Sequence, residues 1–433
     1  MGMDGPRQTF MPLLIRNLSQ IATPLGSTAV RGSAMRELHV IERGAVVIDG
    51  ENFLFAGPER DLPAGLSRRI DDELDASGKT AIPGFVDSHT HLPFAGTREA
   101  EFNRRLRGET YEDIARSGGG ILSSVAATRS ASEHDLRDLV LARTRTMALY
   151  GTTTAEAKSG YGLNLEDELK QLRAIRSVSD SSPVRLFPTC LAAHDFPAEA
   201  RASERHRSDF VRLICDEILP RVAAEGLAVF CDAFVERGAF SPQQGRAVLE
   251  SGRALGLIPR LHADEFSDLN GATLAADLGC ASADHLMHVS DEGIRALAAS
   301  GTVANLLPAT SFFLMSSRYA PARALIEAGA AVSLSTDCNP GSSMTESMQM
   351  VVQLACLQMK LTVEEALTAA TLNGAASVLA SARTGSIEDG KRADLVLLDA
   401  PNYLHLVYHF GINLVTDVWS AGRPVIRGGR PAI

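Results

Sequence analysis

The chain has 433 residues, of which 45% are hydrophobic and 22% are charged, and its net charge is −10. This composition is typical of a globular protein long enough for a large domain and a second module, and it excludes intrinsic disorder. Because the charge is acidic and no basic block occurs, nucleic acid and anionic membranes are unfavourable partners. We therefore expect a small-molecule partner.

The six cysteines are scattered and form no Cys-x-x-Cys pair, so the sequence predicts neither a disulfide framework nor a thiolate metal site. The first twenty residues lack an apolar segment with a cleavage site, and no stretch reaches about 18 consecutive apolar residues. We therefore expect reduced thiols, no membrane segment and a cytoplasmic location.

Near the N-terminus, apolar and polar residues alternate in two segments that carry Gly-rich turns, residues 12–24 and 44–57. Period-2 alternation bounded by such turns is typical of half-buried β-strands. These segments predict a small β module ahead of the main domain.

Between residues 82 and 341, short apolar runs alternate with longer segments of helical period, which is typical of a parallel sheet with crossover helices. Eight such units predict a (β/α)8 barrel of the TIM type. One helical segment, 241–256, offers Ser241 as an N-cap. The predicted barrel strands are 82–91, 152–160, 184–194, 228–236, 258–266, 282–288, 302–310 and 331–341.

The alternating pattern returns near the C-terminal end, at residues 385–400 and 416–429. Because both ends of the chain carry it, we expect one composite β-sandwich that flanks the inserted barrel. The predicted fold class is thus α/β, with residues 1–80 and 381–433 in the sandwich and residues 81–380 in the barrel.

Active sites of such barrels lie at the carboxyl ends of the strands. Polar residues stand at these ends in the predicted strands, namely His91, Lys158, His194, Glu236, Glu265, His285 and Asp337. A purely structural role of a buried strand does not require them, so they indicate a functional rim.

The stretch PGFVDSHTHLPFAG, residues 83–96, places His89 and His91 one residue apart after an apolar run. Strand alternation puts both imidazoles on one face, about 7 Å apart, where they can point at one ion. His262 on the fifth predicted strand and Asp337 at the end of the eighth face the same rim. Each residue alone would be typical of a hydrogen-bonded structural group, but together the four predict one metal site.

Three imidazoles and one carboxylate suit Zn²⁺ or iron and leave a position for water. With His285 on the sixth strand, the pattern resembles the amidohydrolase superfamily, whose barrels carry His-x-His after strand one, His on strands five and six, and Asp on strand eight. The fourth strand, ending FVERG, offers no lysine where two-metal members carry a carboxylated one. The resemblance therefore implies one metal ion per chain.

Within that superfamily, residues 80–425 resemble the imidazolonepropionase family, which hydrolyses 4-imidazolone-5-propanoate to N-formimidoyl-L-glutamate in histidine degradation. Two local departures, LAAHD and LLPATSFF, leave the proposed ligands in place. The matching motifs are HTHLPFAGTREAEF, GGGI, EAKSGYGLNLEDEL, RLHADEF, SADHL, STDCNPGSS and YHFGINLV.

Hydrolysis of a cyclic amide needs activated water, a polarised carbonyl and a proton for the departing nitrogen, and a metal supplies the first two. Glu265, three residues beyond the ligand His262, is placed to be the general acid. His285 can orient the water or take its proton, with Asp337 assisting.

The substrate's carboxylate tail calls for a cation, and Arg98 in the loop after strand one can form a bidentate fork with it. Alone, Arg98 would more often pair with Glu99 or Glu101. The resemblance also implies a homodimer and adds further substrate-binding residues, with Tyr111 the weakest: Tyr161, His194, Glu265, Asn339, Gly341 and Ser342.

Two other functions stay open at the level of sequence. Purine and pyrimidine aminohydrolases share the ligand pattern, and they differ by releasing ammonia. A barrel that only binds ligands would be a third possibility, but the complete ligand set argues against it. The choice between zinc and iron also stays open, because these ligands accept both.

Overall fold

The structure is a computed structural model and describes residues 12–67, 70, 72–109, 113 and 119–432. Strands of the N-terminal part come first: β1 Leu13–Thr23, β2 His39–Asp49, β3 Asn52–Pro58, β4 Asp72–Asp75 and β5 Thr80–Pro83. The central strands are β6 Phe85–Asp87, β7 Thr152–Lys158, β8 Arg185–Ala193, β9 Phe230–Val235, β10 Ile258–Pro259, β11 Leu261–Ala263, β12 Ser282–His285, β13 Val303–Leu306 and β14 Val332–Leu334. The C-terminal strands are β15 Leu395–Leu398, β16 Val415–Ser420, β17 Arg423–Arg427 and β18 Arg430–Pro431.

Helices follow most of the central strands. The α-helices are Ala64–Ser67, Glu99–Leu106, Ile121–Ser130, Glu133–Leu149, Leu165–Ser177, Glu204–Leu213, Leu219–Ala224, Pro242–Ala254, Gly271–Asp277, Asp291–Ala299, Pro308–Phe313, Ala322–Glu327, Met348–Met359, Val363–Thr368, Gly374–Ser377 and His405–Tyr408. Short 3₁₀ turns occupy Gly32–Arg36, Glu59–Asp61 and Ala198–Ala202, and π-helical turns occupy Ile214–Ile218 and Ala369–Asn373.

The central strands form a parallel barrel in chain order, with β10 and β11 together as the fifth strand. The barrel closes where Thr90, beyond β6, pairs with Cys338, beyond β14. Asp337 N donates to His89 O at 3.0 Å and His91 N donates to Cys338 O at 3.0 Å. His89 and His91 thus lie just past β6, and this pairing keeps their backbone extended.

A second sheet combines both chain ends in the order β18-β17-β16-β15-β5-β1-β2-β3, with β4 beside β1. Antiparallel pairing of β5 with β15 joins the two halves. Its core contains Ile15, Leu18, Ile21, Leu395 and Trp419, all buried. The predicted α/β fold, a (β/α)8 barrel with a β domain built from both ends, is confirmed.

Two predicted strands of this β domain differ in detail from the structure. The run 44–57 is a hairpin, because the chain turns at Gly50, whose φ is +57°. Within 385–400 the strand is limited to β15, since the buried Lys391 ammonium donates to Ser381 O at 3.0 Å and to Ser386 Oγ at 2.6 Å and ties the preceding residues into a loop.

The helix Pro242–Ala254 illustrates how local sequence sets a boundary. Ser241 Oγ accepts from Gln244 N at 3.3 Å, and the Gln244 side chain accepts from Ser241 N at 2.9 Å. This reciprocal capping box confirms Ser241 as the N-cap. On its inner face, Val248 and Leu249 are buried.

We propose that the chain divides into residues 1–80, 81–380 and 381–433. Strand β5 belongs to the second sheet and ends at Pro83, and Gly84 connects it to β6 of the barrel. A side chain at Gly84 would collide with Thr153, because a Cβ there would lie 2.2 Å from Thr153 Oγ1. Within the described ranges, no helix has the length and apolar character needed to cross a bilayer.

Candidate active site

Four residues predicted as metal ligands meet at the carboxyl end of the barrel. Asp337 Oδ1 lies 3.4 Å from His89 Nε2 and 3.3 Å from His91 Nε2. His262 in β11 packs against His89 with 4.5 Å between ring centroids. All four side chains are buried. The structure therefore brings together residues from the first, fifth and eighth barrel strands.

The atoms of this cluster fit a cation. One ring nitrogen from each of His89, His91 and His262 lies within 4.8 Å of the others. His89 Nε2 and His262 Nε2 are buried without a hydrogen-bond partner, which a bound metal would provide. His285 and Asp337 form an overlapping group with His89.

The charge states of these residues differ: His91 can bind a metal as it stands, whereas His89 must first lose a proton. Burial lowers the pKa of His91 to about 4, so its imidazole is neutral. Burial and Lys158 lower the pKa of His89, but the carboxylates of Asp284 and Asp337 outweigh them and raise it to about 9. Burial raises the pKa of Asp337, but the nearby imidazoles of His89 and His91 outweigh burial and hold it well below its usual range. Metal binding would thus release a proton from His89.

Backbone strain marks the same strand ends. His285 has φ +79° and Asp337 has φ +54°, a left-handed conformation that residues other than glycine rarely adopt. Such strain persists where the surrounding structure fixes it, and it concentrates at functional sites. At these two positions the chain turns from the strand into the loop that carries the site.

Next to the histidines, the barrel interior holds an inner ion-pair cluster, which we define as Glu156, Lys158, Asp232, Arg260 and Asp284. Lys158 Nζ lies 2.7 Å from Glu156 Oε1, 2.8 Å from Asp232 Oδ2 and 3.8 Å from Asp284 Oδ2. Arg260 Nη2 lies 3.5 Å from Asp284 Oδ2. Burial lowers the pKa of Lys158, but the charges of Asp232 and Glu156 outweigh burial and raise this pKa. Lys158 therefore stays an ammonium.

Two carboxylates of the inner cluster lie against histidines that we predicted as metal ligands. Asp284 Oδ2 lies 2.8 Å from His89 Nδ1, and Asp232 Oδ2 lies 2.9 Å from His262 Nδ1. A carboxylate behind a ligand histidine fixes its ring orientation and tautomer. Sequence reasoning noted Lys158 as a polar strand end but missed its carboxylate partners, because Asp232 and Asp284 lie inside strands β9 and β12.

A cavity of about 660 Å³ opens over the histidines. All the described residues that we predicted to bind substrate lie in the wall of this cavity. Tyr111, the weakest of those predictions, lies outside the described residues. These wall residues are Arg98, Tyr161, His194, Glu265, Asn339, Gly341 and Ser342.

Arg98 immediately precedes the helix Glu99–Leu106 and is oriented by Glu101. Its Nε and Nη2 lie 2.9 and 2.8 Å from Glu101 Oε2, so the ion pair that was the structural alternative for Arg98 is present, and it lies within the cavity wall. A Cβ at Gly341 would lie 2.2 Å from Arg98 Nη1, so only glycine allows this approach. Asn339 Oδ1 accepts from the backbone N–H groups of Gly341 and Ser342 at 2.8 Å each and shapes their turn.

Glu265 and His285, the two residues that we predicted to transfer protons, lie side by side. Glu265 Oε1 lies 3.6 Å from His285 Nδ1, and both residues are buried. Burial, together with the charges of Asp337 and Glu236, raises the pKa of Glu265 well above its usual value. Burial lowers the pKa of His285 well below its usual value. These shifts favour the acid form of Glu265 and the neutral form of His285.

Glu236 supports the loop that carries Glu265. Its carboxylate accepts from Phe266 N at 2.8 Å and from Ser267 N at 3.2 Å. The fourth strand thereby anchors the loop after the fifth, which is a supporting role for this strand-end glutamate.

His194 and Tyr161 add neutral hydrogen-bonding groups to the wall. His194 Nδ1 lies 2.9 Å from Gly160 O, and a carbonyl only accepts, so Nδ1 carries the proton and Nε2 is an acceptor. Burial lowers the pKa of His194 well below its usual value, which keeps the ring neutral. Burial and Asp337 raise the pKa of Tyr161, so its hydroxyl remains a donor.

Thr310 is a site residue that sequence reasoning missed. Its Oγ1 donates to Asp337 Oδ2 at 2.7 Å, and Ser342 Oγ donates to the same oxygen at 3.3 Å. Thr310 belongs to the departure LLPATSFF, where only its place just after β13 could have suggested contact with the rim.

Solved structures of low sequence identity share this fold. An adenosine deaminase from Xanthomonas campestris with bound zinc matches with a TM-score of 0.70 and 20% identity, over 97% of this chain and 94% of that one. A triazine hydrolase variant matches with a TM-score of 0.73 and 17% identity, over 98% and 96%. The Amidohydrolase family matches residues 257–425. The fold is thus that of the amidohydrolases, and residues 257–425 match their family directly.

Curated relatives narrow the assignment. An imidazolonepropionase of Geobacillus sp. (strain WCH70) is 48% identical over 97% of this chain and 99% of its own length. An imidazolonepropionase of Porphyromonas gingivalis (strain ATCC BAA-308 / W83) is 47% identical over 96% and 97%. The chain belongs to the imidazolonepropionase family. These relatives favour ring opening over the deaminase alternative.

Proposed function

We propose that the chain hydrolyses the cyclic amide C–N bond of 4-imidazolone-5-propanoate and releases N-formimidoyl-L-glutamate in histidine degradation. The observation that carries this proposal is a single cavity whose wall contains the Glu265 carboxyl, the His285 imidazole and the Arg98 guanidinium. A pocket that places a few polar groups around a small molecule in this way is typical of an enzyme active site.

We assign the metal-ligand role to His89, His91, His262 and Asp337. A divalent metal ion held by these ligands supplies Lewis-acid activation of water and of the amide carbonyl when it is bound. Asp284 and Asp232 orient His89 and His262 through their Nδ1 atoms, which leaves both Nε2 atoms as electron-pair donors.

The proton transfers fall to Glu265 and His285. Neutral His285 accepts a proton from the attacking water, and the negative charge of Asp337 stabilises the imidazolium that forms. Protonated Glu265 gives its proton to the ring nitrogen as the C–N bond breaks, so this nitrogen departs as the neutral formimidoyl (amidine) nitrogen of the product. The 3.6 Å separation of the two groups allows the proton to return to Glu265 for the next turnover.

Other residues of the cavity wall orient the substrate. Arg98 binds the propanoate carboxylate in a charge-assisted pair, and Glu101 fixes the plane of its guanidinium. The ring is positioned by hydrogen bonds with Tyr161 Oη as donor and His194 Nε2 as acceptor. Asn339, Gly341 and Ser342 complete the wall near Asp337.

A product assay tests this proposal. We expect purified protein to convert 4-imidazolone-5-propanoate to N-formimidoyl-L-glutamate, identified by mass spectrometry, with no ammonia released. Stoichiometric ammonia from cytosine, guanine or adenosine, without turnover of the imidazolone, would contradict it and favour a deaminase.

We further propose that each chain binds one Zn²⁺ or Fe²⁺/Fe³⁺ ion, which elemental analysis tests. We also propose that the protein is a homodimer and is cytoplasmic. The free thiols of all six cysteines support a reducing compartment. Strongly exposed apolar side chains, Tyr408 at 81% and Phe410 at 70%, support association with a second copy, which sedimentation analysis tests.

A further inference from the structure

Lys158 is the centre of the inner ion-pair cluster, and its surroundings resemble those of a bound cation. Its ammonium contacts carboxylates from three positions on β7, β9 and β12, and every side chain of the cluster is 0% exposed. Burial of so many ionised groups is costly unless each charge is paired. The positive charge at this point is therefore a built feature of the barrel.

The oxygens that contact Lys158 are the ones that orient the metal ligands. Asp232 Oδ2 approaches both Lys158 Nζ, at 2.8 Å, and His262 Nδ1, at 2.9 Å. Asp284 Oδ2 likewise lies between His89 Nδ1, at 2.8 Å, and Lys158 Nζ, at 3.8 Å. Because each oxygen is shared, removing the ammonium would change the charge that both imidazoles face.

These groups would also suit a second metal ion. One ligand atom from each of Asp232, His262 and Asp284 lies within 4.8 Å of the others. In addition, Asp284 Oδ1 is buried and has no hydrogen-bond partner, so it is an available oxygen ligand. Carboxylates and an imidazole are ordinary ligands for zinc and for other transition metals.

The charges of the site balance for a single divalent ion. The inner cluster combines three carboxylates with two cations, Lys158 and Arg260, and so carries one excess negative charge. Asp337, whose carboxylate lies 3.4 Å from His89 Nε2 and 3.3 Å from His91 Nε2, adds a second negative charge. One divalent ion at the proposed ligands neutralises both, whereas a second would leave two unpaired buried positive charges. Neutralising Lys158 removes one of these two charges.

We propose that Lys158 is a positioning residue whose ammonium takes the place of a second cation, restricts the chain to one metal ion, and holds Asp232 and Asp284 against the ligand histidines. This inference rests on the proposed metal site. It predicts that neutralising Lys158 converts the inner cluster into a second metal site.

Cobalt titration of the full chain tests the inference without using activity. Metal-free protein is titrated with Co²⁺ while visible absorption is followed, and bound metal is counted by elemental analysis. We expect one ion per chain for the wild type and two for Lys158→Met, which keeps the length of the side chain without its charge. Lys158→Gln is measured in the same way, so that the test holds if the methionine variant does not fold.

Two matched variants control the titration. Lys158→Met combined with Glu156→Gln removes opposite charges together and should return the count to one ion. Lys79→Met removes a lysine whose Nζ lies 2.9 Å from Asp417 Oδ2 in the second sheet, and should leave the count at one.

The possible results separate the two proposals. A wild type that binds no metal would contradict the proposed function and this inference with it. A wild type that binds two ions, or folded Lys158→Met and Lys158→Gln variants that bind only one, would overturn the role of Lys158 and leave the catalytic assignment intact.

Discussion

The proposed metal ligands and the residues proposed to bind the substrate carboxylate are built differently. His89 and Asp337 are 0% and 2% exposed and join through the backbone hydrogen bonds that close the barrel. Arg98 and Glu101, at 10% and 15% exposed, lie at the start of a helix in the loop after β6. The ligands depend on the sheet, whereas the guanidinium depends on a loop and one ion pair.

This difference separates residues at strand ends from residues on loops, which have different roles in a barrel enzyme. Residues at strand ends are held by many strands at once, which gives the accuracy that metal ligation and proton transfer need. Residues on loops can vary without disturbing the sheet, and so they determine which substrate is bound. Changes in the metal region should therefore abolish all activity, while changes at Arg98 should select among substrates.

The largest expected effect follows loss of a ligand. Asp337→Ala or His262→Ala should reduce bound metal, measured by elemental analysis, to a small fraction and activity to background, because each removes a ligand of the metal. Asp417→Ala, which removes a paired carboxylate from the second sheet, should keep both. A fully metallated and active variant at either ligand would show the assignment to be wrong.

Glu265→Gln should leave the metal in place and lower kcat by about 100-fold or more, the usual effect of removing a general acid. The variant should also melt at a higher temperature near neutral pH. The pKa of Glu265 is raised in the folded protein, so its ionisation as pH rises costs folding free energy, and glutamine removes that cost. Loss of the metal on this substitution would mean that Glu265 is a ligand.

The pH profile of kcat provides a second measurement on Glu265. The acid form is the active one, so activity should fall as pH rises through the raised pKa of this carboxyl. Glu265→Gln should remove that alkaline decline and leave a low rate with a flatter profile. An unchanged decline in the variant would assign the ionisation to another group.

Arg98→Met should lower kcat/KM for 4-imidazolone-5-propanoate by about 10- to 150-fold with unchanged metal content, since a charge-assisted pair contributes about 1.5–3 kcal/mol. Arg98→Lys should recover only part of this, because an ammonium lacks the planar fork. Some of the loss is expected in kcat, because the carboxylate contact also positions the ring.

An imidazolone without the carboxylate is the control for Arg98. Wild type and Arg98→Met should process it about equally slowly. Arg173→Met is a matched control, because Arg173 Nη2 lies 2.9 Å from Glu225 Oε2 and neither residue lines the cavity. This variant should behave as wild type on both substrates. An equal loss for Arg98→Met on both substrates would assign Arg98 to structure alone.

The smallest expected effect concerns Thr310→Val, which keeps the side-chain shape and removes the hydrogen bond to Asp337. A loss of about 1 kcal/mol, or roughly fivefold in metal affinity, is expected, because Ser342 still donates to the same oxygen. Competition with a chelator measures it. No change in affinity would show that the rest of the site fixes Asp337 without Thr310.

Much of this site could be predicted because local patterns indicate strands and caps. Periodicity located all eight barrel strands, and Ser241 indicated the start of its helix. Alternation put His89 and His91 on one face, although the residues lie beyond β6 and owe their extended backbone to the pairing of Thr90 with Cys338. That pairing joins distant parts of the chain and leaves no local signal.

The sequence by itself determined the order of the strands, the polar residues at their ends and the family to which the chain belongs, because these depend on local periodicity and on motifs. Only the tertiary structure decided that Lys158 pairs with Asp232 and Asp284, that Glu101 orients Arg98, and that Thr310 reaches Asp337. Hydrogen bonds and ion pairs form over a few ångströms, and the closed barrel alone brings residues so distant in sequence within that range.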